Sequence, residues 1–169
     1  MVKVCIKIIV ISQKTAILIQ KDCVLGILLM HSERQCIMEC TVKEKVLFVP
    51  EGTIKIGFND ICTYIYNNSI EEIHLPSTIE IIEADTFFDF VEIKKINIPK
   101  SVIQIGSQAF WGLDQIKELV IPNSVKRVAR HAFSNIPQCR LVIVGEQHSI
   151  PNEWDKEFAA NVKEICFLS

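Results

Sequence analysis

Three stretches of this chain are near-copies of one another: "IHLPSTIEIIEADTF" (73–87), "INIPKSVIQIGSQAF" (96–110) and "LVIPNSVKRVARHAF" (119–133), set 23 residues apart. Take Pro76, Pro99 and Pro122 as origins. Six, three and one residue before them stand Ile70/Ile73/Leu75, Ile93/Ile96/Ile98 and Ile116/Leu119/Ile121. Three, six and eleven residues after them stand Ile79/Ile82/Phe87, Val102/Ile105/Phe110 and Val125/Val128/Phe133. All eighteen positions are apolar. A fixed period of this kind belongs to a chain built by stacking, in which each unit buries its apolar face against its neighbours.

The pattern decays toward both ends. Pro50 opens a degenerate copy in which Leu47, Val49, Ile56 and Ile61 match, Glu44 and Thr53 do not, and extra residues near "CTYIYNNS" lengthen the unit to 26. At the other end Gly145 takes the proline position, 23 residues after Pro122, with Cys139, Val142 and Val144 keeping half of the pattern. Irregular end units are expected, because an end unit has a neighbour on one side only.

Within a unit, "IKKINIP" places apolar residues three and then two apart and stops at a proline, which ends a strand and breaks a helix. "SVIQIG" is a second β-branched run, and "SQAFWGL" a turn with an inward phenylalanine. Two short strands per unit follow, equivalent strands running parallel about 4.8 Å apart, with the Ile, Val and Phe positions forming continuous ladders. An α/β fold with helices such as 103–113 is the competing architecture, and the β-branched content and the period speak against it.

Composition limits the function classes. Apolar residues make up 49% of the 169, charged residues 22%, and the net charge is −2, which excludes a disordered chain and gives no general pull toward nucleic acid or anionic membrane. The opening "MVKVCIKIIVIS" is split by Lys7 and is followed by no small-x-small cleavage site; "CVLGILLM" (23–30) is too short to span a bilayer. Both read as core strands of a cytoplasmic protein. The seven cysteines are odd in number, and Cys5, Cys23, Cys62 and Cys139 lie in apolar runs as small buried residues.

"IKKINIPKSVIQIGSQAF" resembles the signature LxxIxIPxSVxxIGxxAF of BspA-like leucine-rich repeats, and "SIPNEWDKEF…VKEICF" is similar to the Trp-containing turn and last strand that close many such arrays. The resemblance covers about 44–169 and implies a mainly β solenoid of about five coils, with a Trp-turn plus strand as C-terminal cap, used for binding. Residues 1–43 lie outside it. The runs 2–11, 15–20, 23–30 and 35–42, separated by "SQK", "QKD" and "HSERQ", read as a small antiparallel N-terminal β cap. The expected division is thus 1–43 and 44–169.

No motif of catalysis or of cofactor binding is present: there is no phosphate loop, nucleophile elbow or dinucleotide fingerprint. His31, Cys36 and Cys40 have three ligand types but a "CIMEC" spacing that suits alternating strand residues better than zinc. His74, His131 and His148 have no evident nucleophile and acid at matching corners, and Glu83, Asp85 and Asp89 read as a solvated turn. A second basic cluster, Lys126, Arg127, Arg130 and His131, lacks interleaved aromatics. No enzyme activity, metal or cofactor is expected.

Binding is expected on the outward face of each coil's first strand. Five, four and two residues before each origin, the columns are Lys45/Glu71/Lys94/Lys117/Arg140, Val46/Glu72/Lys95/Glu118/Leu141 and Phe48/His74/Asn97/Val120/Ile143. A basic band of Lys94, Lys95, Lys117 and Arg140 adjoins an acidic rung of Glu71 and Glu72, while apolar Val120, Leu141 and Ile143 collect at the C-terminal end with Phe48 at the other; exposed apolar residues rimmed by charge suit a protein partner. The reading is a non-catalytic protein-binding module. Its sharper form is an immunity or inhibitor protein for a toxin, and a fragment of a surface adhesin is a further alternative.

Overall fold

A computed structural model describes residues 5–11, 14–21, 24–29, 40–146 and 150–168. The chain divides into two compact units, Met1–Cys36 and Ile37–Ser169. In the first, β1 (Cys5–Ile11), β2 (Lys14–Lys21) and β3 (Val24–Leu29) form an antiparallel sheet in chain order. Its register sets Ile11 opposite Lys14 and Lys21 opposite Val24. His31 and Cys36, and with them most of the run 35–42, lie outside the described residues.

The second unit is a β-solenoid of about five turns. Its first-strand series is β5 (Val46–Phe48), β7 (Glu72–His74), β9 (Lys95–Ile96), β11 (Glu118–Ile121), β13 (Ile136–Val144) and β14 (Val162–Leu168). Its second-strand series is β6 (Lys55–Ile56), β8 (Ile81–Ile82), β10 (Gln104–Ile105) and β12 (Arg127–Val128), a continuous parallel sheet. A short strand, β4 (Thr41–Lys43), pairs antiparallel with β5 and covers that edge of the main sheet.

The recurring proline makes the corner between the two strands. It has no N–H to give a ladder, and its carbonyl accepts the amide three residues on: Ile79 to Pro76 (3.3 Å), Val102 to Pro99 (3.1 Å) and Val125 to Pro122 (3.1 Å). The apolar positions counted from those prolines are buried, apart from half-buried Leu75, which packs on the core. Phe87, Phe110 and Phe133 are fully buried and stack across successive coils at 5.1 and 5.0 Å. Removing one such ring by Phe→Ala costs about 3–5 kcal/mol.

The turn that carries each phenylalanine repeats as closely as the strands do. Asp85, Gln108 and His131 all have φ near +55°, and the backbone passes amides from coil to coil, Phe87 to Ala109 and Phe110 to Ala132, each at 2.8 Å. Gly106 answers to close packing: a Cβ there would stand 2.3 Å from the Ala84 amide nitrogen of the preceding coil. Residues 103–113 therefore form strand and turn, and the helical alternative is excluded.

Two features depart from the sequence reading. The lengthened first coil holds a helix, α1 (Phe58–Asn68), where only extra residues were expected. Its signals are local: the Asp60 carboxylate accepts the Gly57 amide at 2.8 Å, Ile61 and Ile65 share the buried face, and Ser69 ends it at φ 48°. The other departure is the last coil. There β13 pairs Leu119 with Leu141 and Ile121 with Ile143, a spacing of 22.

Candidate binding surface

That slip decides which residues face outward. β13 carries a register irregularity between Ile136 and Arg140, and beyond it the side chains of Cys139, Leu141 and Ile143 share the core face. Arg140 points out, and Leu141 and Ile143 must then point in; they are 0% and 5% exposed. The apolar patch expected from Val120, Leu141 and Ile143 is therefore corrected: Leu141 and Ile143 are core. Val120 remains outward at 42% exposure, and Phe48 at 37%.

The basic residues are exposed on the main sheet, Arg140 opposite Glu118 rather than in the Lys117 column, but most are met by acids. Glu71 receives both Lys45 and Lys94, the latter at 2.7 Å, and Glu72 receives Lys95 at 2.6 Å and His74 at 2.8 Å. These hydrogen bonds, foremost the one from Lys45, hold the Glu71 carboxyl down at about 2; Lys95 is the chief cause that lowers Glu72. The His74 ring also packs on Phe48 at 4.8 Å. With β13 in its true register, Glu72, Lys95, Glu118, Arg140 and Glu164 occupy successive coils with alternating charge. Arg140 contacts Glu118 at 3.6 Å and Glu164 at 3.2 Å, and its Nε donates to the Cys166 sulfur at 3.3 Å.

The ladder has one break. The main sheet is two sheets, β4-β5-β7-β9 and β11-β13-β14, while the second-strand sheet runs through unbroken. Between β9 and β11 lies a cleft of about 250 Å³ lined by Ile96, Asn97, Ile98, Glu118 and Val120. Lys94 and Lys117 repeat the same charge on the two flanking coils, and each bonds to the coil beyond: Lys94 to Glu71 of the preceding one and Lys117 Nζ to the Gln138 side-chain oxygen of the following one.

The other candidate groups are structural. Ser134, His131 and Glu157 line up (Ser134 Oγ to His131 Nδ1 3.3 Å, His131 Nε2 to Glu157 3.9 Å), yet Ser134 is 1% exposed and its oxygen accepts the Ala160 amide. A nucleophile so enclosed has no room for a substrate carbonyl. Arg130, from the second basic cluster, pairs with Glu157, whereas Lys126 and Arg127 are exposed on the second-strand side. Burial, reinforced by Asp60, pushes the Cys40 thiol up to about 11, and burial does the same to Cys139; both are packing groups. Among the described residues no cluster of three metal-ligating side chains is found, and no helix is long and apolar enough to cross a membrane. Trp154 sits on the last regular coil, its Nε1 donating to the Val125 carbonyl at 3.2 Å.

Against known proteins, the family model for the BspA type leucine-rich repeat region matches residues 48–155 in six copies. No curated protein matches significantly. Among crystal structures, a leucine-rich repeat protein from Bacteroides ovatus is similar at a TM-score of 0.50 and 21% identity, over 94% of this chain and 40% of its own. This chain thus spans about 40% of that protein's length, and the likeness is one of fold. A leucine-rich repeat protein from T. pallidum gives a TM-score of 0.47 at 13% identity, over 80% of this chain and 86% of its own.

Proposed function

Since this chain belongs to the BspA type leucine-rich repeat family, we propose that it is a non-catalytic protein-binding module whose contact surface is the outward face of the main sheet. The observation that carries the reading is Val120, an apolar side chain 42% exposed on a main sheet whose third, fourth and fifth coils also carry the exposed Lys94, Lys95, Lys117 and Arg140. Exposed apolar area rimmed by charge suits a protein partner, and a stacked sheet offers it on a rigid support at little ordering cost. Charge at the rim favours rapid encounter. The cytoplasm, where thiols such as Cys40 and Cys139 stay reduced, is the setting we assign.

The test is affinity capture from lysate of the native organism, with wild-type protein and a Val120→Asp, Lys117→Glu double variant as baits. Circular dichroism first shows that the variant is folded, as exposed sites permit. One protein held by the wild type and lost by the variant is expected. If that protein is a toxin, the module is its inhibitor. Equal capture by both baits refutes this face, and capture of extracellular proteins alone would turn the reading toward adhesion.

A further inference from the structure

The two ends of the main sheet are finished differently. At the first coil β4 lies antiparallel on β5 and covers the edge. At the last, β14 pairs with β13 on one side, and among the described residues no strand pairs with its other side. That edge is long: β14 has seven residues, where β5, β7, β9 and β11 have two to four. It also lacks the proline and the spread of charges that protect open edges. Its charges are the adjacent Lys163 and Glu164, and 165–168 is the uncharged "ICFL". Ile165 is 40% exposed, and Leu168, at 57%, is the most exposed large apolar side chain among the described residues.

The ladder fixes which backbone groups reach that edge. The Gly145 amide donates to the Leu168 carbonyl at 2.8 Å, so Leu168, and with it Cys166 and Glu164, turn their amides and carbonyls toward β13. Lys163, Ile165 and Phe167 therefore present theirs to the open side. On the outward face Arg140 reaches toward the same edge. It contacts Glu118 at 3.6 Å and Glu164 at 3.2 Å, and its Nε donates to the Cys166 sulfur at 3.3 Å. A guanidinium has five donors, enough to take a further carboxylate.

We propose that a second copy of this chain pairs with this edge, β14 antiparallel to β14, about a two-fold axis at Ile165. An axis perpendicular to the sheet makes the joined strands antiparallel and sets one residue opposite its own copy, because opposed side chains share a face. At Lys163 or Glu164 that axis would set like charges directly opposite. At Cys166 it would pair only 164–168 and face Glu164 with the second copy's Leu168. At Ile165 all seven residues pair. Ile165 then meets Ile165, Leu168 meets Val162, and Phe167 lies across from the methylenes of Lys163. Cys166 faces the second copy's Glu164, whose carboxylate arrives beside Arg140, twice by symmetry. The strand is complementary to itself in charge and in apolar surface, and this assigns the edge to a second copy. The inference is independent of what the main sheet binds elsewhere.

The experiment is sedimentation velocity of the full chain under reducing conditions, from micromolar to near-millimolar protein. The wild type is expected to pass from monomer to dimer within that range. Ile165→Pro removes one edge donor but no bond to β13, and Ile165→Lys keeps the donor but sets two charges on the axis. Each weakens the dimer at least tenfold, while circular dichroism and Trp154 fluorescence show the fold intact. Val91→Lys, at an exposed apolar site outside β14, stays within threefold of wild type. In a second arm, Ile165→Cys is incubated with oxidised glutathione. Residues opposed on the axis lie about 5.5 Å apart at Cα, within disulfide reach, and peptide mapping finds the bridge between copies at position 165. A wild type monomeric throughout, a dimer indifferent to both Ile165→Pro and Ile165→Lys, or a bridge through Cys166 in place of position 165 overturns the proposal.

Discussion

Leu141→Ala separates the two possible registers of the last coil. If the 23-residue count held to the end, Leu141 would stand on the surface, where truncation changes stability by less than about 0.5 kcal/mol. In the structure it is fully buried, directly opposite Leu119 on β11 and Ile165 on β14. Truncating such a leucine costs about 2–5 kcal/mol, lost transfer free energy plus the cavity left behind. A domain of this size holds about 5–15 kcal/mol in all, so the loss is a large share. With a urea m-value of about 2 kcal/mol/M, the midpoint falls by roughly 1–2.5 M. The side chain couples adjacent coils, so the damage should begin locally, at the C-terminal end. Trp154, 7% exposed and bonded to the Val125 carbonyl, reports on that end by fluorescence, and circular dichroism reports on the whole. The expected result is an early fluorescence transition for Leu141→Ala and an unchanged curve for Val120→Ala. A Leu141→Ala midpoint within 0.3 M of wild type would refute the register, and with it the removal of Leu141 and Ile143 from the surface.

Other consequences are equally checkable. Phe110→Ala, which takes out the middle ring of the stack, should cost about 3–5 kcal/mol in thermal or urea unfolding, and a loss under about 1 kcal/mol would contradict a continuous aromatic ladder. Gly106→Ala should cost about 1–3 kcal/mol, because the new methyl meets the Ala84 backbone rather than a movable side chain; a neutral result would show that the coils separate there with ease. Glu71, whose carboxyl is held at about 2 against an ordinary 4.5, stabilises the fold fully above about pH 4.5, and that share is lost as the pH falls toward 2. A carboxyl carbon NMR titration checks it: a midpoint near 4.5 would show that Lys45 and Lys94 do not hold Glu71 in solution.

The sequence exposes most of this fold because each coil sees the same surroundings. A position such as that of Phe110 is filled by the same side chain above and below, so one physical demand is written three times and stands out from chance. The helix α1 was legible only in its local signals. Asp60 three residues after Gly57, and Ile61 four before Ile65, were both available, but a single copy has no repetition to draw the eye. The last coil was misread for a related reason. Gly145 sits at the proline's distance, but β13 pairs one residue short of that count; past its irregularity the strand sets Arg140 opposite Glu118 and outward, which turns Leu141 and Ile143 inward.

The binding surface was legible as columns and illegible as pairs. Counting from the prolines places Lys94, Lys95, Lys117 and Arg140 on one face, but whether a lysine is spent on its neighbour or left for a partner depends on contacts between coils. Glu71, drawn to Lys45 on one side and Lys94 on the other, takes up charge that the column shows as available. The reverse holds at the third boundary. Lys95 and Glu118 are opposite charges in adjacent coils, and sequence alone would pair them across an intact sheet. In the structure the strands part there, and each charge turns to its outer neighbour, Lys95 to Glu72 and Glu118 to Arg140. A repeat protein can thus interrupt its ladder without any unusual residue. Where the ladder fails to close depends on contacts between coils, and the period that reveals the fold conceals that boundary.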